Sequence, residues 1–383
     1  MLIISRLIFF IFLFSICLNN SYADQNDCNF FKKKKENFNL SLIDIKIDDY
    51  KKWQVNNLRI ITNNTHFIPS KFKKKFLSKV KFSYGDKLTC SVRAKIRVHG
   101  DLKDHIIYKD GKVFQSLDVH LIDGHVQNIT KFKLFLKGTR GNYKEEIFMT
   151  KLLRKLGYLA PRTKKVSVKL NNQKLDMLFQ EKITKEFLEF NKRREGPIFE
   201  GDERFFFKSV EKLPSNQKSN LDVGVVPLMN NSVKHLLARQ VNTNIIQKSK
   251  GLNKMSFNSS TNLNLIYLYY SNKFQDEINN FNYFDYDFDN TLLAMFNPEK
   301  ITKLDTYNLL IQSTNSQHGL AANNRKFFWN SIENYFEPIN YDSNPNINLK
   351  RPTTTTVIYR LPISEDFLSS FGVLEKKLLN LNL

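Results

Sequence analysis

The sequence predicts an α+β fold in two lobes, with a strand-rich front half carrying one inserted helix and a mainly helical back half carrying a late hairpin. Three observations predict it. Apolar residues alternate with polar ones in short runs between Val92 and Leu136, and again between Val166 and Ile183, the period of half-buried strands. A single stretch among them, from about Tyr143 to Leu156, spaces its apolar residues for a helix. Beyond about residue 195 the pattern turns helical, as in Leu263–Phe274 and Leu304–Thr314. Strands followed by helices, rather than strict alternation of the two, is the α+β order.

The chain has 383 residues, enough for two or three domains or one large two-lobed unit. Hydrophobic residues make up 41%, which excludes wholesale disorder, and three cysteines are too few for a disulfide scaffold. The formal net charge is +22. That charge suits an anionic partner such as an acidic envelope surface, nucleic acid or phosphates. It also matches the Lys-, Asn-, Ile- and Phe-rich usage of an AT-rich genome, the reading we prefer, so no specific nucleic-acid partner is expected.

In chain order, residues 1–23 read as a secretory signal. Arg6 provides the basic start, Leu7 to Leu18 the apolar stretch, and Ser21-Tyr22-Ala23 the small residues of a cleavage site. Ile16 is too bulky for the position before a lipidated cysteine at Cys17. Cleavage leaves Cys28 and Cys90, which either pair or stay free. With no later apolar segment of spanning length, no transmembrane span is expected after cleavage. The protein is expected to be exported to the periplasm, cell envelope or medium.

Residues 24–90 read as a polar, basic extension, with Lys32–Lys35 and Lys71–Lys75 as solvated runs. Residues 91–195 form the strand-rich lobe: strands at Val92–Val98, Leu117–Ile122 and Thr130–Leu136, then the helix stopped by Gly157 and Pro161. A hairpin over Val166–Leu170 and Leu175–Ile183 turns at Asn171-Asn172, and a short helix covers Lys185–Lys192. Residues 196–383 form the mainly helical lobe, with a polar loop at 208–222 and a hairpin of Lys326–Trp329 and Tyr335–Tyr341.

The stretch from His318 to Asp342 carries the chemistry. A polar loop offers His318, Asn323 and Asn324, a hairpin follows, and Asp342 ends an aromatic strand. Phosphoryl transfer needs hard oxygen ligands for the metal that bridges nucleotide phosphates, and protein kinases place a loop Asn and a strand-end Asp around such a hairpin. Asp342, Asn323 and Asn324 are therefore the predicted metal ligands for Mg²⁺ or Mn²⁺, with the asparagines and His318 beside the reacting groups. Upstream, Lys133 sits mid-strand, and Glu145 and Glu146 sit in the first turn of the next helix. A strand lysine for phosphates and a helix acid to orient it complete a protein-kinase-like order. Asp342 and the asparagines equally suit a turn cap and loop filler, and Glu145 and Glu146 suit a helix amino terminus. Seven histidines give no zinc spacing, and the acidic run Tyr283–Asp289 reads as a loop between helices.

These segments resemble the spore-coat CotH kinase family. The resemblance rests on AKIRVHGDLKDH (94–105), TKFKLFL (130–136), LLRKLGYLAPRT (152–163) and VSVKLNNQKLDMLFQEKI (166–183), with HGLAANNRKFFW and PINYD later in the chain. The Leu-Gly-Tyr-Leu-Ala-Pro-Arg-Thr run, followed by a hairpin ending at Glu181-Lys182, is its most specific part. It covers residues 90–345 in patches. The resemblance implies an exported, two-lobed protein-kinase-like fold that uses ATP and a divalent metal to phosphorylate a secreted or cell-envelope protein. It implies Lys133, Glu146 (or Glu145), Arg140 and Glu181 at the nucleotide, Asp342 as the principal metal ligand, and His318 nearest the acceptor hydroxyl. Arg162 reads as a surface arginine. This sequence departs from the family at Asn172-Gln173, in place of a hairpin glycine, and at His318-Gly319, in place of an acidic base. The departures leave two alternatives: a non-catalytic envelope or adhesion protein, and a glycan phosphotransferase. Asp342→Asn is expected to cost on the order of 10²-fold or more in rate with little effect on folding, with Asp222→Asn as a nearly silent control.

Overall fold

The computed structural model describes residues 40–85, 88–140, 142–213, 236–273, 288–348 and 365–381. The predicted signal segment, Cys28, Asp222 and residues 283–287 of the acidic run lie outside them. The front of the chain is a closed barrel. Its strands are β1 (Leu40–Ile47), β2 (Phe76–Tyr84), β3 (Leu88–Val98), β6 (Leu117–Leu121), β7 (Lys131–Phe135), β8 (Thr163–Leu170) and β9 (Gln173–Glu181), in the order β1-β2-β3-β6-β7-β9-β8. Neighbours are antiparallel except β1 and β8, which pair in parallel from Leu42↔Ser167 to Ile45↔Leu170 and close the ring. A small hairpin, β4 (Ile106–Lys109) and β5 (Lys112–Gln115), stands beside it.

This barrel overturns the expected two-lobed protein-kinase-like fold with a strand-rich amino lobe and a mainly helical carboxy lobe. Residues 40–84, read from sequence as a basic extension, supply β1, β2 and the helix α1 (Tyr50–Thr62). The back half is organised around a second sheet rather than helices alone. It contains β10 (Ile198–Gly201), β11 (Ala238–Gln240), β12 (Lys326–Asn330) and β13 (Tyr335–Ile339), in the order β11-β10-β12-β13. The polar loop expected from residue 208 begins inside a helix, α4 (Arg204–Lys212).

Side-chain alternation explains the barrel. Val80 and Phe82 of β2, Val92, Ala94 and Ile96 of β3, and Phe132 and Leu134 of β7 all point into one core. Phe132 stacks on Phe179 at 4.6 Å and meets Phe82 edge-on at 6.1 Å. Truncating such a ring to alanine costs about 3–5 kcal/mol. Asn171 and Asn172 take positive φ angles of 41° and 76°, the left-handed pair a two-residue hairpin needs. Asn171 also ties the turn to β1, since its side chain accepts from Ile47 N at 2.9 Å and its own N–H donates to Ile45 O at 2.9 Å. The hairpin turn thereby helps to close the barrel. Cys90, fully buried in this core, is disulfide-bonded.

The remaining helices pack around the two sheets. They are α2 (Tyr143–Lys155), α3 (Lys185–Phe190), α5 (Lys250–Lys273), α6 (Asn290–Leu293), α7 (Pro298–Ser313) and α8 (Glu365–Leu379). Asn142 caps α2 by accepting from Lys144 N, and Glu145 and Glu146 sit in its first turn, as the helix dipole favours. Met149 and Leu153 of α2 pack on Tyr307 and Ile311 of α7, and α5 and α6 cover the second sheet through Tyr267, Leu293 and Phe327. Among the described residues no helix is long and apolar enough to cross a membrane.

Candidate anion-binding cleft

A cleft of about 710 Å³ lies between the outer face of the barrel and the second sheet. Its barrel wall is a cross-strand row set by register: Arg97 of β3 opposite Asp118 of β6, Asp118 opposite Lys133 of β7, and Lys133 opposite Gln180 of β9. Asp118 accepts from Arg97 at 2.9 Å and from Lys182 at 3.1 Å. Burial works against its charge, but Lys182 and Arg97 outweigh burial and hold the carboxyl below its usual range.

Lys133 is left to reach across the cleft. Its Nζ donates to the Tyr341 hydroxyl at 2.6 Å, just beyond β13. Lys326 Nζ lies 4.2 Å, and the Arg140 guanidinium 5.0 Å, from the Tyr341 ring centroid. Three cations thus crowd one phenol. Burial would raise the Tyr341 pKa, yet Lys133, Arg140 and Lys326 together bring it down to about 7. Lys326 falls to about 8, chiefly through burial, with Lys133, Arg140 and Lys182 repelling its charge. Its ammonium pairs with Glu200 on the neighbouring strand.

The predicted residues gather here only in part. Lys133, Arg140, Glu181, Asn323, Asn324 and Asp342 all line the cleft. Glu146 does not. It is fully buried and accepts from Gln180 at 2.9 Å, with no ion pair to Lys133 among the described residues. Its carboxyl is raised by burial, with Arg140 and Gln180 opposing. Glu181 directs both oxygens at Arg162, with Nε at 2.8 Å and Nη2 at 2.5 Å. Arg162 is therefore a mostly buried fork partner and not a surface arginine. The Gly100–His105 turn reaches the cleft edge, where Gly100, Asp101 and His105 line it.

Asp342 pairs with Arg140, whose side chain is 3% exposed. His318 stands behind this pair: its Nδ1–H donates to the Asp342 carbonyl at 2.7 Å, and its Nε2 lies 3.2 Å from Asn324 Nδ2. Burial, then Arg140, holds the imidazole down at about 4. A neutral ring with both nitrogens engaged positions the Asp342 backbone and is poorly placed to take a proton. Asn323 turns the other way and donates to Glu203. Asp342, Asn323 and Asn324 line the same cleft, and the asparagines engage their protein partners through the amide nitrogens. Among the described residues no three His, Cys, Asp or Glu side chains are grouped for a metal. Asn323 Oδ1, buried without a hydrogen-bond partner among the described residues, is an oxygen that Asp342 could join in holding Mg²⁺ or Mn²⁺, and no step below is routed through a protein-held metal.

Sequence reasoning missed Lys182, Glu203, Lys326 and Tyr341. Lys326 and Tyr341 flank a hairpin already singled out, and their placement at its two open ends was the available signal. Glu203 stands just before α4, its carboxylate turned to Asn323, in a stretch with no alternation to mark it. Burial lifts its carboxyl to about 7, Asp101 adds to the rise, and Asn323 opposes it. No protein-family model matches the chain, and no curated protein matches it.

Proposed function

We propose that the cleft binds the phosphates of ATP, carrying Mg²⁺ or Mn²⁺ as part of the substrate, and that the protein is an exported kinase. It transfers the terminal phosphoryl group to a hydroxyl of a secreted or cell-envelope protein. The observation that carries this reading is the crowding of Lys133, Lys326 and Arg140 around Tyr341. Like charges held this close repel; Glu200 and Asp342 offset Lys326 and Arg140 in part, and an anion among the three cations relieves what is left. The CotH-like segments support the same reading.

In the reaction the acceptor oxygen attacks the terminal phosphorus, the bond to the bridging oxygen breaks, and ADP leaves. Lys133 and Lys326 neutralise the charge on the transferring group. Glu203, in the same cleft with a carboxyl near neutrality, takes the hydroxyl proton.

The separation of Glu146 from Lys133 favours a second reading, a non-catalytic envelope protein that binds the same anion. Transfer of labelled terminal phosphate from ATP, measured beside ATP-dependent thermal stabilisation, separates the two. Stabilisation with incorporation into protein supports the kinase, and incorporation into glycan moves the acceptor class. Stabilisation without any transfer favours the binding protein, and absence of both removes the nucleotide reading.

A further inference from the structure

We propose that the cleft reads its donor through the phosphate chain and is indifferent to the base, so that GTP, UTP and inorganic tripolyphosphate bind it as ATP does. The inference rests on the nucleotide reading above and narrows its substrate class.

A pocket that selects a purine offers an apolar slot for the ring face and a few polar groups for its edge. The walls here are of another kind. Ten lysines and arginines and six carboxylates line the cleft, against three larger apolar side chains, Ile183, Phe207 and Val241. Phe207 is committed elsewhere: its ring meets Phe206 at 4.9 Å and packs on the Phe67–Val210 cluster. The His99 ring meets those of His105 and Phe135 at 5.1 Å, and Tyr341 has Lys133, Lys326 and Arg140 within 5.0 Å of its centroid. A base stacking there would have to displace charges that the phosphates need.

The cations also run the length of the cleft rather than marking one end. Lys131 and Lys133 come from β7, Lys326 from β12, Arg239 from β11, and Lys208 from α4. Their excess over the carboxylates is four. A triphosphate carries about four negative charges at neutral pH, one on each inner phosphate and nearly two on the terminal one, and about two once Mg²⁺ is bound. The cation excess therefore covers the phosphate chain, with its metal or without, and needs no contribution from the base. A nucleoside triphosphate and an inorganic polyphosphate share this chemistry.

Calorimetric titration of the full chain, at one ionic strength and with Mg²⁺ throughout, tests the inference with ATP, GTP, UTP, sodium tripolyphosphate and adenosine. The expected result is that the four polyphosphates bind within about threefold of one another and that adenosine gives no binding. Phe207→Ala is expected to leave the ratio of ATP to tripolyphosphate affinity unchanged, whatever it does to stability. Lys326→Met is expected to weaken both by the same factor, about tenfold. ATP binding more than about tenfold tighter than GTP or tripolyphosphate, or a ratio that collapses in Phe207→Ala, overturns the inference and leaves the nucleotide reading standing. Failure of every polyphosphate to bind overturns both.

Discussion

Asp342→Asn separates what this residue does for the fold from what it does for the ligand. The substitution keeps the shape of the side chain and removes its charge. Sequence alone predicts a fold-silent change, but Arg140 alters that expectation. Its guanidinium is 3% exposed and ion-paired with Asp342, whose side chain is 22% exposed. Removing one partner of a buried pair costs about 3–5 kcal/mol. The partial exposure of Asp342, and the amide oxygen that replaces its carboxylate, bring the expected cost to about 2–3 kcal/mol. For a chain of this size that is a fall in Tm of roughly 3 °C by scanning calorimetry. Transfer activity should fall about 100-fold, because Arg140, no longer held by Asp342, loses its preorganised position beside the phosphates. The freed Arg140 should also bind tripolyphosphate better, so ligand should raise the Tm of the variant more than that of the parent. Combining Arg140→Met with Asp342→Asn should recover most of the lost stability, since neither charge is then left alone. A variant that melts within about 1 °C of the parent and gains nothing extra from tripolyphosphate would refute this account of Asp342.

Other expectations follow from neighbouring geometry. Arg193 forks onto the fully buried Glu337, with contacts at 2.7 and 2.5 Å, so Arg193→Ala should cost about 3 kcal/mol by chemical denaturation. A cost below about 1 kcal/mol would mean that Lys303, at 3.4 Å, and Asn330, at 3.1 Å, suffice to hold the carboxylate. Gly201→Ala would place a methyl 2.5 Å from the Ala322 carbonyl and 2.7 Å from Asn323 Cα. It should destabilise the protein by about 1–3 kcal/mol and lower phosphate transfer, and an unchanged melting curve with full activity would contradict the packing around Asn323. Affinity for tripolyphosphate should fall about tenfold as pH rises past the values near 7 for Tyr341 and 8 for Lys326. The sign follows because phenolate formation offsets Lys133 and deprotonation removes the Lys326 charge. Lys326→Met should shrink the fall, and a fall of the same size in that variant would assign it to other groups.

Local period was legible in the sequence where one face of a strand is apolar and the other is not. Lys131–Phe135, the helix from Tyr143 and the Asn171-Asn172 turn all fall where alternation and turn chemistry place them. The same rule applied to β2, where Ser78, Val80 and Phe82 point inward while Lys79 and Lys81 point out. There the lysines mask the alternation, and a strand of the barrel reads as part of a basic extension. Closure was harder still to see. It depends on a parallel pairing of residues 42–45 with 167–170, and no local residue type encodes a partner so far away. With β1 and β2 unrecognised, the remaining strands suggested an open lobe.

The site shows why spacing along the chain assigns roles less well than it assigns elements. Lys133 followed by an acid in the next helix fits a lysine–glutamate pair, and nothing between residues 133 and 146 argues against it. What redirects Lys133 lies 208 residues away, in a phenol carried at the end of β13. Glu146 meanwhile loses its expected partner to register, because Gln180 stands opposite Lys133 on β9 and donates to Glu146 at 2.9 Å. The same holds for Asp342: its place after an aromatic strand was readable, but not that Arg140 would be buried against it. Each of these choices is made by a cation seeking the nearest unclaimed acceptor across two sheets. Lys133 and Lys326, gathered around Tyr341 even though Glu200 pairs with Lys326, are the cations an incoming phosphate would meet, and they locate the ligand more firmly than any motif.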